Sequence, residues 1–283
     1  MSLDNAAPEG RGVPPWSPSP LLYASATVHF GAVAALLARP RTWPWALGAL
    51  AANHVALAAA GLWPRSRWLG PNWTRLPAES AEARVAITID DGPDPAVTPA
   101  VLAQLAAHRV HATFFCVGSR VERYADLARE IVRGGHDIEN HSQRHRHNFS
   151  LLGPAGIRAE ISRAQDSISR VTGSTPRFFR APAGLRNPFL DPVLARLQLR
   201  LASWTRRGFD TVNANPDAVF RRLAGPLQDG DILLLHDGNA ARSRSGNAVI
   251  LDVLPRLLEA VAAKRLQVVT LRSALPPSYA TAQ

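Results

Sequence analysis

Arg84-Val-Ala-Ile-Thr-Ile-Asp90-Asp91-Gly92-Pro93-Asp94-Pro95 is an apolar run that ends in two adjacent carboxylates and a turn. Its β-branched residues and the turn chemistry that bounds them predict a short buried strand over residues 84–89, with Asp90 and Asp91 at its carboxyl end. In α/β folds that end is where sites are built. Neighbouring strand residues point to opposite sides, so the two carboxylates can meet different partners and take different roles. Asp-Gly-Pro is also ordinary turn chemistry, and this stretch alone leaves a solvated turn equally open.

Downstream, short apolar runs alternate with helical stretches. Strands are expected at 84–89, 112–117, 137–139, 178–180, 199–204, 231–235 and 267–271, and helices at 98–108, 121–133, 154–172, 188–197, 216–227 and 249–264. This alternation predicts a mainly parallel sheet, and about seven strands suggest closure into a (β/α) barrel. No internal repeat is visible.

Upstream lie two apolar stretches, 21–38 and 45–63, neither of which contains Lys, Arg, Asp or Glu. Each is close to the roughly 20 residues a membrane-spanning helix needs. Trp43, Trp45, Trp63 and Trp68 stand where interfacial aromatics belong. Together they predict a helical membrane hairpin, with a pair of packed soluble helices or a signal anchor as the competing readings. Arg39 and Arg41 lie in the connecting loop, while Arg11, Arg65, Arg67 and Arg75 flank the other side. That count favours both termini and the following domain being cytoplasmic, at a bacterial inner membrane. The expected organisation is a flexible tail at 1–20, a two-helix anchor at 21–69, a Pro- and Gly-containing linker at 70–83 and one domain at 84–283.

The composition narrows the function classes. Of 283 residues 46% are hydrophobic, which excludes a disordered chain and suffices for a sizeable core. The net charge of +10 comes almost wholly from scattered arginines rather than a basic stripe, which argues against a nucleic-acid partner. An anionic membrane surface or substrate suits that charge better. The single cysteine, Cys116, permits no internal disulfide and sits in an apolar run, as a buried inert thiol does.

Three further stretches carry chemistry. In Asn140-His141-Ser-Gln-Arg-His145, a spacing of four places two imidazoles on one side of a helical turn, within reach of a common ion. His136 and His147 lie nearby, so a solvated polar loop is the alternative. A carboxylate from the end of the first strand would complete a two-His, one-carboxylate set suited to zinc or another first-row divalent ion. Phe178-Phe-Arg180-Ala-Pro182-Ala183-Gly184 offers a fixed guanidinium for a carboxylate and a rigid turn. Asp231-Ile-Leu-Leu234-Leu-His236 delivers a histidine at a strand end, from the same rim as Asp90, Asp91 and Arg180.

Thr88-Ile-Asp-Asp-Gly-Pro93, His141-x-x-x-His145, Arg180-x-Pro182-x-Gly184 and Leu233-Leu-Leu-His236 stand in this order, with Ala112-Thr-Phe-Phe115 and Gly135-His136 between. They resemble the successive motifs of the polysaccharide deacetylase family, the NodB-homology domain of carbohydrate esterase family four, over roughly residues 84 to 271. The resemblance implies a distorted (β/α) barrel and metal-dependent removal of an acyl group, most commonly acetyl, from an amino sugar. It implies Asp91, His141 and His145 as metal ligands, Asp90 as general base held by Arg180, and His236 as general acid tuned by Asp210. The metal would be Zn2+, with Co2+, Ni2+ or Mn2+ as alternatives. Pro182, Ala183 and Leu234 are the implied substrate-binding residues, Ala183 through a backbone amide toward the oxyanion and Leu234 in the acyl pocket.

Two positions depart from the family pattern: Ala183 stands where an aromatic is usual, and Thr211 where a Trp commonly follows the aspartate. Both normally line the sugar groove, so a pocket for a single glycan unit is expected rather than a shallow polymer groove. With the hairpin, this points to a lipid-linked sugar. A glycan-binding barrel without turnover is the alternative, disfavoured because Asp90 and His236 are both retained.

Overall fold

The structure, a computed structural model, describes residues 13–78 and 82–276. Residues 1–12 of the expected tail and 79–81 of the expected linker lie outside the described residues.

Two apolar helices come first: α1 (Pro20–Ala38) and α2 (Trp43–Leu62), joined by a 3-10 turn at Pro40–Thr42. Ser19 caps α1 by accepting from Leu22 N, and Pro20 suits the first helical position. The helices are long and apolar enough to cross a membrane by length and composition, with mean hydropathies of 1.7 and 1.4. Their polar side chains face one another: Asn53 Nδ2 donates to Ser25 Oγ at 3.0 Å, and the His29 and His54 rings meet edge-on at 5.3 Å. Large apolar side chains point outward, among them Phe30, Leu37 and Trp45.

The stretch after α2 is folded onto the rest of the protein. Leu69 and Leu76 are buried, and Trp73 donates its N–H to Leu201 O at 2.9 Å while accepting from Ser203 N.

The remaining chain builds an α/β barrel of parallel strands. They are β1 (Arg84–Asp90), β2 (Thr113–Cys116), β3 (Asp137–Asn140), β4 (Phe178–Phe179), β5 (Arg200–Leu201), β6 (Arg206–Arg207), β7 (Ile232–His236) and β8 (Gln267–Val269). The sheet order is β5-β4-β3-β2-β1-β7-β6, with β8 pairing the start of β1, and every pairing between named strands is parallel. The helices that cover it are α3 (Thr98–Ala107), α4 (Gly118–Arg123), α5 (Ala125–Arg133), α6 (Pro154–Thr172), α7 (Leu190–Arg196), α8 (Pro216–Ala224) and α9 (Val249–Ala263).

Alternation along β1 sorts the residues. Val85, Ile87 and Ile89 pack outward with Val101, Leu105 and Leu254 of the helices, while Ala86 joins Phe115, Phe178, Ile232 and Leu271 within the barrel. That apolar group closes the barrel interior beneath Thr88 and Asp90, so the polar residues of the strand ends sit on a dry floor.

Three expectations need correction. The helix expected over 121–133 is broken at Tyr124, whose φ/ψ of −119°/52° is not helical. The strand expected over 199–204 is two residues long, and the unexpected β6 follows it; β5 pairs β4 and β6 pairs β7. The segment from Arg200 to Arg207 therefore spans the gap between the sheet's two edges, which makes the barrel distorted. Finally, His141 and His145 do not share a helical turn. They lie in a loop in which Ser142 and His145 have φ of 64° and 48°, so the turn is irregular and brings the rings together by left-handed bends.

Candidate active site and metal centre

The carboxyl ends of β1, β3, β4 and β7 deliver Asp90, His141, Arg180 and His236 to one rim. β1 and β7 pair Asp90 directly with His236, and β3 and β4 pair Asn140 with Phe179, the residues just before His141 and Arg180. The rim opens into a cleft of about 460 Å3 lined by Asp90, Asp91, His141, His145, Ala183, Leu234 and His236. Pro182 is buried under the turn and Asp210 lies behind His236, neither forming part of the cleft wall.

Asp91 turns away from the strand with φ 75°, and Gly92 follows where a Cβ would overlap the Asp237 carboxylate. This close approach explains the glycine after the aspartate pair. Asp91 Oδ1 then stands 3.3 Å from His141 Nε2 and 3.2 Å from His145 Nε2. His141 donates Nδ1–H to Arg180 O at 2.8 Å, which leaves its Nε2 lone pair aimed at the same point. The three candidate ligand atoms lie within 4.8 Å of one another.

Asp91 Oδ1 is buried and has no hydrogen-bond partner among the described residues. A buried carboxylate oxygen left so, facing two imidazole nitrogens, is the arrangement a divalent cation satisfies. Two nitrogens and one oxygen fit zinc-like ions and leave positions for water and substrate. The electrostatics agree. Burial pushes the Asp91 carboxyl up, but His141, His145 and His236 facing it bring it well below the usual carboxylate range. Burial, with His141 beside it, takes the His145 imidazole down to about 4, so this ring is a neutral donor at physiological pH.

Asp90 sits beside Asp91 but in different company. Its Oδ1 accepts from Arg180 Nη1 at 2.6 Å, while Oδ2 lies 3.8 Å from His141 Nε2 on the cleft side. The guanidinium is engaged throughout. Nε donates to Ala202 O, Nη1 also to Thr88 Oγ1, and Nη2 to Ser203 O, over the Phe115 ring at 4.0 Å. Arg180 therefore fixes the position of Asp90, with four of its five N–H donors held within the fold.

His236 is held from behind. Asp210 accepts its backbone N–H at 2.7 Å and its Nδ1–H at 2.9 Å, leaving Nε2 for the cleft. Burial alone would push this imidazole down, but Asp210, with Asp90 and Asp91 beyond, pushes it up to about 9. A protonated histidine and an anchored carboxylate thus face each other across one cleft, the pairing that general acid and general base catalysis needs.

Two contributors escaped the motif reading. Asn239 Nδ2 donates to Asp91 Oδ2 at 3.1 Å and thereby turns Oδ1 toward the imidazoles; it stands three residues after His236 with φ 60°, a conformation asparagine tolerates. Trp204 lines the cleft beside Gly184, where a Cβ would meet its ring. The aromatic wall absent at Ala183 and Thr211 is thus supplied by another residue, whose signal was a tryptophan just beyond a strand end. Ala183 and Thr211 do line the cleft.

Residues 78–202 match the family model described as polysaccharide deacetylase. A peptidoglycan-N-acetylglucosamine deacetylase of Bacillus cereus is 34% identical over 178 residues, covering 62% of this chain and 82% of that protein. A chitooligosaccharide deacetylase of Bradyrhizobium sp. is 34% identical over 160 residues, 56% of this chain and 73% of that protein. Among solved structures, the Bc1960 peptidoglycan N-acetylglucosamine deacetylase has a TM-score of 0.65 at 25% identity, covering 72% of this chain and 92% of that one.

Proposed function

Since the chain belongs to the polysaccharide deacetylase family, we propose that it is a metal-dependent hydrolase that removes an N-acyl group, most commonly acetyl, from an amino sugar. The observation that carries this reading is the divergence of two adjacent aspartates. Asp91 presents a buried, unsatisfied oxygen to two imidazoles, while Asp90 is anchored on one oxygen by Arg180 and turns the other to the cleft.

A divalent ion, Zn2+ by the donor set, held by Asp91, His141 and His145, would supply Lewis acidity to the acyl carbonyl and to water. Asp90 takes the proton of the attacking water, and Arg180 keeps its carboxylate pointed for the transfer. His236, protonated and oriented by Asp210, gives a proton to the departing amine. Base and acid are separate groups because an amine leaves poorly without a proton, and each residue keeps the protonation state its step needs. Ala183 and Leu234 bound the acyl end, with the Pro182 turn behind, and Trp204 forms an apolar wall for a sugar ring.

We place the hairpin in a bacterial inner membrane, with the barrel at its surface and the arginine count favouring the cytoplasmic side. The outward apolar side chains and the inward Ser25–Asn53 and His29–His54 pairs support this reading. Metal analysis of the purified full chain, with acetate release from N-acetylglucosamine oligomers, tests the enzymatic proposal. One divalent ion per chain and its loss in His141→Ala are expected. Metal content unchanged in His141→Ala would overturn the ligand assignment.

A further inference from the structure

β6 carries two neighbouring arginines with opposite circumstances. Arg206 donates to Asp231 Oδ2 at 2.6 Å and to Pro226 O, so its charge is balanced within the fold. Arg207 has no carboxylate partner among the described residues, and its Nε is buried without a hydrogen bond. Its guanidinium lies 5.5 Å from the Trp204 ring centroid and 5.0 Å from that of Phe209, and it lines the cleft. Arg120 and Arg144, the other arginines of the cleft, face Asp94 at 3.5 Å and Glu160 at 3.9 Å. Asp90 and Asp91 are the acidic side chains of the lining, and they belong to the metal side.

An N-acylated sugar is neutral and gives a half-buried guanidinium, with its Nε–H buried and unmatched, nothing to bind. Leaving donors of a charged group desolvated and unmatched is unfavourable, and a planar fork beside an aromatic face suits a phosphate. The wall that bears Arg207 is also tied to the hairpin. Ser203 Oγ donates to Pro64 O at 2.6 Å, Arg65 donates to Thr205 O at 3.1 Å, and Arg186 N donates to Gly61 O at 3.1 Å. A Cβ on Gly184 would meet both Trp204 and Pro64. The end of α2 and the cleft wall are thus one packed unit.

We infer that the cleft accepts an N-acylated amino sugar joined to a phosphate, that Arg207 binds the phosphate, and that the substrate is presented as a membrane lipid at the end of α2. The inference rests on the deacylase reading and adds the charged neighbour of the sugar. A glycosyl phosphate on a lipid carries its phosphate at headgroup level, where the hairpin leaves the membrane. A nucleoside-diphosphate sugar offers the same chemistry in solution, and the experiment separates the two sources.

The full chain, metal-loaded and reconstituted in neutral phospholipid vesicles, is titrated calorimetrically with N-acetylglucosamine 1-phosphate and with N-acetylglucosamine. The phosphate form should bind about tenfold more tightly, and Arg207→Ala should remove most of that preference, Arg207→Lys less. A preference that survives Arg207→Ala assigns the phosphate to the metal and overturns the role of Arg207. Turnover is then compared on polyprenyl-phosphate-linked N-acetylglucosamine in the vesicles, on a nucleoside-diphosphate N-acetylglucosamine, and on a neutral oligomer. The lipid-linked substrate should give the highest kcat/KM, and Arg207→Ala should lower its ratio to the neutral oligomer about tenfold, chiefly through KM. A higher kcat/KM for the nucleotide sugar would overturn the lipid presentation, and an unchanged ratio in Arg207→Ala would overturn the subsite. Selective phosphate binding without acetate release from any substrate would instead refute the deacylase reading.

Discussion

Two of the barrel's arginine–carboxylate pairs differ in one respect. In the first, Glu139 is closed on both oxygens: Oε1 accepts from Arg272 Nε at 2.6 Å, and Oε2 from the N–H groups of Arg177 and Phe178 at 2.7 and 2.8 Å. Arg272 is equally engaged, donating to Ser174 Oγ and Ile138 O. In the second, Arg180 is held through all three nitrogens, but Asp90 is bonded through one oxygen and turns the other toward the cleft. Burial alone therefore does not mark a catalytic carboxylate, since Glu139 and Asp90 are both buried. The mark is a fixed group with one valence left open.

The largest expected effect tests that difference directly. Asp90→Asn keeps the shape and the Asp91 ligand set, so bound metal should be retained while kcat falls about 10²- to 10⁴-fold, the usual contribution of a general base. Glu139→Gln should lower stability by about 1–3 kcal/mol, because it replaces an acceptor of three donors with a group that accepts on one side only. Its kcat should stay close to wild type. Metal content, acetate release and a thermal melt on both variants decide the matter. An equal loss of kcat in the two would erase the distinction between a closed and an open pair, and loss of metal in Asp90→Asn would reverse the roles of the two aspartates.

The open pair was legible in the sequence and the closed one was not. Asp90 and Asp91 stand in a motif with turn chemistry at a strand end, and Arg180, His141 and His236 each end a recognisable apolar run or precede a rigid turn. Glu139 and Arg272 lie about 130 residues apart, Arg272 has no motif around it, and only the pairing of β8 with β1, two strands from β3, brings them together. The same reasoning explains the local errors. The four-residue spacing of His141 and His145 is a helical signal, but Ser142 and His145 in left-handed conformations make it a loop. β6 is Arg206–Arg207, two charged residues with no apolar pattern, and its strand character comes from pairing with β7. Trp204 was visible as a residue, but its place on the cleft wall depends on how Arg200 to Arg207 spans the sheet edges.

A second, smaller effect extends the comparison to the acid. Asp210 closes both its oxygens on His236, so here a saturated carboxylate acts on the chemistry through its partner. His236 serves as acid only when protonated, and its pKa is pushed up to about 9 with Asp210 beside it. Activity in kcat/KM should therefore persist below about that pH and fall as pH rises through it. In Asp210→Asn the charge is gone while burial still pushes the imidazole down, so the alkaline limb should move to below neutrality. At about pH 8 the protonated fraction, and with it the rate, should drop roughly thirtyfold if the pKa returns to the ordinary histidine value. An alkaline limb that stays in place would show that His236 is not the acid, or that Asp210 does not set its charge.

The smallest effect concerns the orientation of Asp91. Asn239 donates to Asp91 Oδ2 from a backbone with φ 60°, so replacing it with alanine would mix two changes, the lost hydrogen bond and a strained left-handed residue. Asn239→Gly separates them, because glycine adopts that conformation freely and only the side chain is lost. Asp91 keeps its imidazole neighbours, so the metal should still bind, about tenfold more weakly, as when an outer partner of a ligand is removed. At saturating metal kcat should return close to wild type, since Asp90, Arg180 and His236 are untouched. Metal titration followed by acetate release reads both quantities on one preparation. Unchanged metal affinity would mean that His141 and His145 alone hold Asp91 in place, and kcat low at saturating metal would mean that Asn239 acts on the substrate rather than on the ligand.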